Sequence, residues 1–160
     1  MRTVRRCSAT ANFSFVSERY LIVDGHSVIF GWPDLRAKHQ RNTALARDEL
    51  VKLLTDYQDS SEVNVVLVFD GQGSKVSEHT EAGGIQIFYS RANQTADSII
   101  ERLVAKYGSR YQMTIATSDR AIQQTAISFE GSFIDIEELK SVLDDAARAF
   151  AKELKKRNKR

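Results

Sequence analysis

Apolar positions along this chain follow two rhythms. Residues 20–23, 63–69 and 113–116 are short, nearly unbroken apolar runs, the pattern of parallel strands covered on both faces. Elsewhere the apolar positions recur at helical spacing. Leu45, Leu50, Val51, Leu53, Leu54 and Tyr57 predict a helix with Thr43 as N-cap, and Ile99, Ile100, Leu103, Val104 and Tyr107 predict one capped by Thr95. Ser118 is placed to cap a short helix to about residue 126, and Asp135 a long one over about 136–155. Residues 85–89 and 132–134 read as two further strands, the second at an edge. Asp24-Gly25-His26-Ser27 has turn chemistry, residues 33–42 read as a connection, and residues 71–84, with four Gly and no periodicity, predict a long mobile loop. A β-α-β unit followed by β-α-β-α-β-α predicts an α/β fold with a mainly parallel central sheet.

The length of 160 residues suits one domain, assigned to residues 20–150, between a flexible basic leader (1–19) and a basic C-terminal tail (151–160). The leader lacks the continuous apolar middle of a secretory signal. Its Arg, Ser and Thr content leaves open a disordered leader or a stretch upstream of the true start, an organelle transit segment, or a functional basic arm. The single Cys7 excludes an intrachain disulfide and a cysteine-rich zinc site and agrees with a reducing compartment. With no apolar run near the roughly 18 residues of a membrane span, a soluble, cytoplasmic protein is expected.

Charge changes the picture. Residues 1–19 and 152–160 carry +3 and +5, so the overall +2 leaves −6 for residues 20–151. Basic ends on an acidic body suggest a grip on a polyanion, nucleic acid above all, although a charged helix end also serves solubility.

Each of the three strand-like runs leads into an aspartate: Asp24, Asp70 and, after Thr117-Ser118, Asp119. In a parallel sheet those ends share one edge, and Asp97 opens a helix that starts at the same edge. Each residue alone is an ordinary cap or turn aspartate. Together they form an acidic cluster that calls for a hard cation such as Mg²⁺ or Mn²⁺. Such a centre suits phosphodiester hydrolysis. Ser27 and Ser118 are candidate donors to carboxylate or phosphate, or simple caps. Arg47, Lys75 and Arg91 are candidate phosphate contacts, or solvated surface. His26 is turn filler or a substrate contact, and Trp32 covers the core or stacks on a base. Glu101, a turn after Asp97, reads as a solvated position. There is no GxxxxGK[ST] phosphate loop and no G-x-S-x-G elbow.

Val23-Asp24-Gly25-His26-Ser27-Val28-Ile29, Gly31-Trp32-Pro33-Asp34-Leu35, Val68-Phe69-Asp70-Gly71, Gly83-Gly84-Ile85, Thr95-Ala96-Asp97 and Ala116-Thr117-Ser118-Asp119, in that order, resemble the NYN domain family and within it the YacP-like branch. The resemblance implies a three-layer α/β/α PIN-like fold. It also implies a Mg²⁺- or Mn²⁺-dependent endoribonuclease acting on RNA, in this branch a ribosome-associated enzyme that cleaves messenger RNA. Asp24, Asp70, Asp97 and Asp119 would be its catalytic and metal-holding residues, with Ser118 in support. The family commonly has Asn at Ser27 and Glu-Thr-Ala-Asp-Asp where this chain has Gln94-Thr95-Ala96-Asp97-Ser98, a loss of charge that weakens cation affinity. A catalytically weak RNA- or ribosome-binding module on the same fold is therefore the alternative, and a small-molecule phosphatase a more distant one.

Overall fold

The computed structural model describes residues 18–159 except 74–76, 81–83 and 92–93; for 72, 73 and 77–80 it describes the backbone. Its sheet runs β3-β4-β2-β1-β5-β6, where β1 is Arg19–Asp24, β2 Val63–Gly73, β3 Ser77–Thr80, β4 Gln86–Arg91, β5 Gln112–Ala116 and β6 Ser132–Ile134. All neighbours are parallel except β3, which runs antiparallel to β4. The helices among the described residues are α1 (Gly25–Gly31), α2 (Pro33–Arg41), α3 (Thr43–Ser60), α4 (Ala96–Tyr107), α5 (Arg120–Ser128) and α6 (Ile136–Asn158).

Strand alternation sorts the apolar residues into two layers. Leu21, Val23, Val65, Leu67, Phe69 and Ile87 pack with Val28, Trp32, Leu35, Leu50, Leu54 and Leu139 from α1, α2, α3 and α6 and the α1–α2 junction. Ile22, Val66, Val68, Met113 and Ile115 pack on the other face with Ile99, Ile100, Val104 and Ile122 from α4 and α5. The predicted three-layer α/β architecture is what forms.

The structure settles or corrects several local readings. The Asp-Gly turn at 24–27 is the start of α1, because Val28 and Ile29 bury fully against the sheet and tertiary packing overrides turn propensity. Residues 33–42 are mostly helical: Pro33 opens α2, where its missing N–H costs nothing and its fixed φ is already helical. Asn42, not Thr43, caps α3 through Oδ1 on the Ala44 N–H at 2.9 Å. Within 71–84, β2 continues to Gly73 and Ser77–Thr80 adds a strand to β4. Backbone pairing needs no side-chain period, so a Gly-rich stretch conceals it.

Trp32 ties the two ends of its layer together. It is buried at the α1–α2 junction, and its indole Nε1 donates to the Ile136 carbonyl at 2.9 Å, fixing the start of α6. Trp32→Ala should cost about 3–5 kcal/mol from the cavity alone, read as a lower urea midpoint. Trp32→Phe, which keeps most of the volume but loses the N–H, should cost clearly less.

Candidate active site

β1 is central, and the chain leaves it into helices on one face but leaves β5 into α5 on the other. The carboxyl ends of β1 and β5 therefore flank a topological switch point, where open α/β sheets leave a crevice. Register decides what lines it. Asp24 pairs with Val68 and Val23 with Ala116, so Thr117 follows beside Asp24 and Asp70 lies two residues farther along β2. By alternation Asp24 and Asp70 share the face of Ile22, Val66 and Val68, which is the face of α4 and α5. Asp97 comes from the first turn of α4 and Asp119 from the N-cap of α5.

Asp24 is 4% exposed, and hydroxyl groups hold it. Ser27 Oγ donates to Oδ2 at 2.7 Å and Thr117 Oγ1 donates to the same oxygen at 2.9 Å. Ser27 Oγ in turn accepts from the Ser118 N–H at 3.2 Å and the Ser118 hydroxyl at 3.0 Å. Asp24 Oδ1 is buried with no hydrogen-bond partner. Asp70 Oδ1 accepts from the Ala96 N–H at 2.8 Å, fastening the start of α4 to β2. Close backbone approach helps set that geometry, since a Cβ on Gly71 would lie 2.3 Å from the Ser90 carbonyl. Asp119 Oδ1 accepts from the N–H groups of Ala121 and Ile122. Asp119 rather than Ser118 caps α5, because the Ser118 hydroxyl is engaged with Ser27.

Asp97 registers the convergence. Its carboxyl is pushed up to about 6, first by desolvation, then by the charge of Asp119 and of Asp24, by a hydrogen bond to Asp119, and by the charge of Asp70. Three carboxylates distant in sequence thus bear on Asp97.

Residues 21–160 match the model of the YacP-like NYN domain. The chain belongs to this family. A relative from Bacillus subtilis (strain 168), described as uncharacterized protein YacP, is 32% identical over 114 residues, which cover 70% of this chain and 66% of the relative's length. The crystal structure of Rae1 (YacP) from Bacillus subtilis superposes with a TM-score of 0.69 at 29% identity, covering 86% of this chain and 80% of that one. Its W164L mutant gives a TM-score of 0.73 at 25% identity over 88% and 84%. NYN domains are generally nuclease-like, so membership supports a nuclease-like, RNA-related role.

In this YacP-like domain the donor chemistry at the edge fits a hard dication: the candidate ligands are carboxylate oxygens, and one of them, Asp24 Oδ1, is buried and unpartnered. Among the described residues no group of three or more His, Cys, Asp or Glu forms a ready cage. Ser27 and Ser118 join the network. Arg47 is elsewhere engaged, its guanidinium 5.2 Å from the Phe69 ring centroid and 5.8 Å from that of Tyr89, residues of the opposite core layer. Arg91 is exposed at the end of β4, and Lys75 lies outside the described residues. Thr117 is the residue that sequence reasoning missed. Its position at the end of an apolar run, directly before Ser118-Asp119, was the available signal.

Two outcomes follow from this network. Thr117→Val should destabilise by about 1–3 kcal/mol by removing a donor from a buried carboxylate, while Thr117→Ser should unfold close to wild type in urea. Because Asp97 holds its proton more tightly folded than unfolded, its contribution is fully present below about pH 4 and is lost as pH rises towards about 6. In EDTA, stability should therefore fall across that window, and Asp97→Asn should flatten the slope.

Proposed function

We propose that this protein is a Mg²⁺- or Mn²⁺-dependent endoribonuclease that hydrolyses RNA phosphodiesters, with messenger RNA on a ribosome as the candidate substrate. The observation that carries the reading is the buried, unpartnered Asp24 Oδ1 at the switch-point edge, together with the pressure that Asp119, Asp24 and Asp70 exert on Asp97. Asp24, Asp97 and Asp119, with Asp70 beside them, would hold the cation. When bound, it neutralises phosphate charge and acidifies water.

The chain's own groups have separable tasks. Ser27 and Thr117 fix one oxygen of Asp24 and leave the other to face the cation. Asp97, whose carboxyl is held up to about 6 without a cation by burial and by its carboxylate neighbours, would release its proton on binding one. Ser118, an exposed residue beside these carboxylates, would turn its hydroxyl from Ser27 to reach a phosphate oxygen. Water would attack phosphorus in line and give one proton to bulk water, while the P–O bond to the departing strand breaks and its leaving oxygen takes a proton from solvent.

Arg91, which is exposed, and the basic end of α6 would contact the RNA backbone, as would Lys75 on the strength of its charge and sequence position. A catalytically weak RNA- or ribosome-binding module is the second reading. The neutral Ser27 at the carboxylate edge, and the neutral Gln94 and Ser98 around the start of α4, favour it.

With Mn²⁺ and an RNA substrate, Asp24→Asn and Asp97→Asn should each slow single-turnover cleavage on the order of 100-fold or more. Undiminished cleavage by both variants overturns the site. RNA binding that persists in EDTA, with no cleavage by the wild type even when translating ribosomes are supplied, selects the binding module.

A further inference from the structure

An aromatic strip runs away from the carboxylate edge along α1 and onto α2. His26 is two residues after Asp24, and Phe30 follows one turn later on the same side of α1. Their ring centroids are 4.5 Å apart, tilted by 38°. Phe30 then meets the edge of His39 on α2 at 4.8 Å and 67°. His26 and Phe30 are exposed, Phe30 by 40%, unusual for a phenyl ring whose helix neighbours Val28 and Ile29 are fully buried. His39 is half-buried, and its Nδ1 has no hydrogen-bond partner.

The surroundings are cationic although the body of the domain is acidic. α2 carries Arg36, one turn before His39, together with Lys38 and Arg41, against Asp34. Lys38 pairs with Glu49, while Arg36 and Arg41 are exposed. Single strands of RNA are recognised by this combination: aromatic faces stack on unpaired bases, and flanking cations track the phosphates. Duplex RNA, with its bases already stacked, gains nothing from such rings.

We propose that His26, Phe30 and His39 form a stacking platform for unpaired bases of an RNA strand whose neighbouring phosphodiester lies at Asp24, with Arg36 and Arg41 on its phosphates. The platform rests on the reading of the edge as an RNA site and adds a preference for single strands. Phe30 is its centre, exposed between the two histidine rings. These are substrate-positioning residues, apart from the acid-base chemistry.

The test is binding of a fluorescein-labelled single-stranded RNA and of its duplex by the full chain in EDTA, so that no cleavage intervenes. Wild type should prefer the single strand. Phe30→Ala should weaken single-strand binding on the order of 5- to 100-fold, and Phe30→Trp should restore it. The half-exposed ring makes Phe30→Ala compatible with folding, which circular dichroism checks. In Mn²⁺, Phe30→Ala should raise KM far more than it lowers kcat.

Equal single-strand affinity of Phe30→Ala and wild type overturns the platform, as does a preference for duplex or no RNA binding at all. If Phe30→Ala weakens binding but the wild type never cleaves, the platform stands and the nuclease reading falls. If Asp24→Asn abolishes cleavage while Phe30→Ala changes neither affinity nor KM, the platform alone falls.

Discussion

Like charges brought to one place by a fixed backbone register cannot drift apart, and that constraint organises the carboxyl edge of this sheet. Pairing of β1 with both β2 and β5 leaves no freedom in where Asp24, Asp70 and Thr117 end up, because slipping by one residue would turn every core side chain to the wrong face. The hydrophobic layers that lock the register thus also impose the repulsion. Hydroxyl groups on Asp24, backbone N–H groups on Asp70 and Asp119, and a proton held longer than usual on Asp97 each relieve part of it. The same contacts fasten α4 and α5 to the sheet, so the site and the scaffold share their hydrogen bonds.

Much of this was legible in the chain. Apolar runs ending on Asp24 and Asp70, and one reaching Asp119 through Thr117-Ser118, contain both the strand positions and the site, because a buried parallel strand needs an unbroken apolar run and a polar exit. Thr95 and Asp135 cap their helices as the pattern indicates, accepting from the N–H groups of Ser98 and Glu138. The fold class follows from the alternation of the two periods, and the family match agrees with the motif order.

What escaped detection depended on competition between neighbours or on packing across the chain. Asp119 and Ser118 were both fit to cap α5, and only the contact of Ser118 with Ser27, 91 residues away, decides between them. Arg47, a candidate phosphate contact by its charge, lies over the stacked Phe69 and Tyr89 rings, a contact no local pattern announces because neither ring is near it in sequence. Asp-Gly chemistry at 24–25 indicates a turn in isolation; burial of Val28, Ile29 and Trp32 makes it a helix start. The role of Thr117 is invisible until β5 is laid beside β1.

The length of α6 has a mechanical consequence. Its 23 residues make a rod of about 34 Å, yet its buried residues, Leu139 and Leu143, lie in the first third of it. Lys155, Lys156 and Arg157 in the last turn therefore ride on a stiff cantilever whose base is pinned by the Trp32 indole. A floppy tail would offer its cations to any passing polyanion at many distances. A cantilever presents them at one distance and one angle from its root, so a partner that engages both ends at once is selected by its dimensions as well as by its charge.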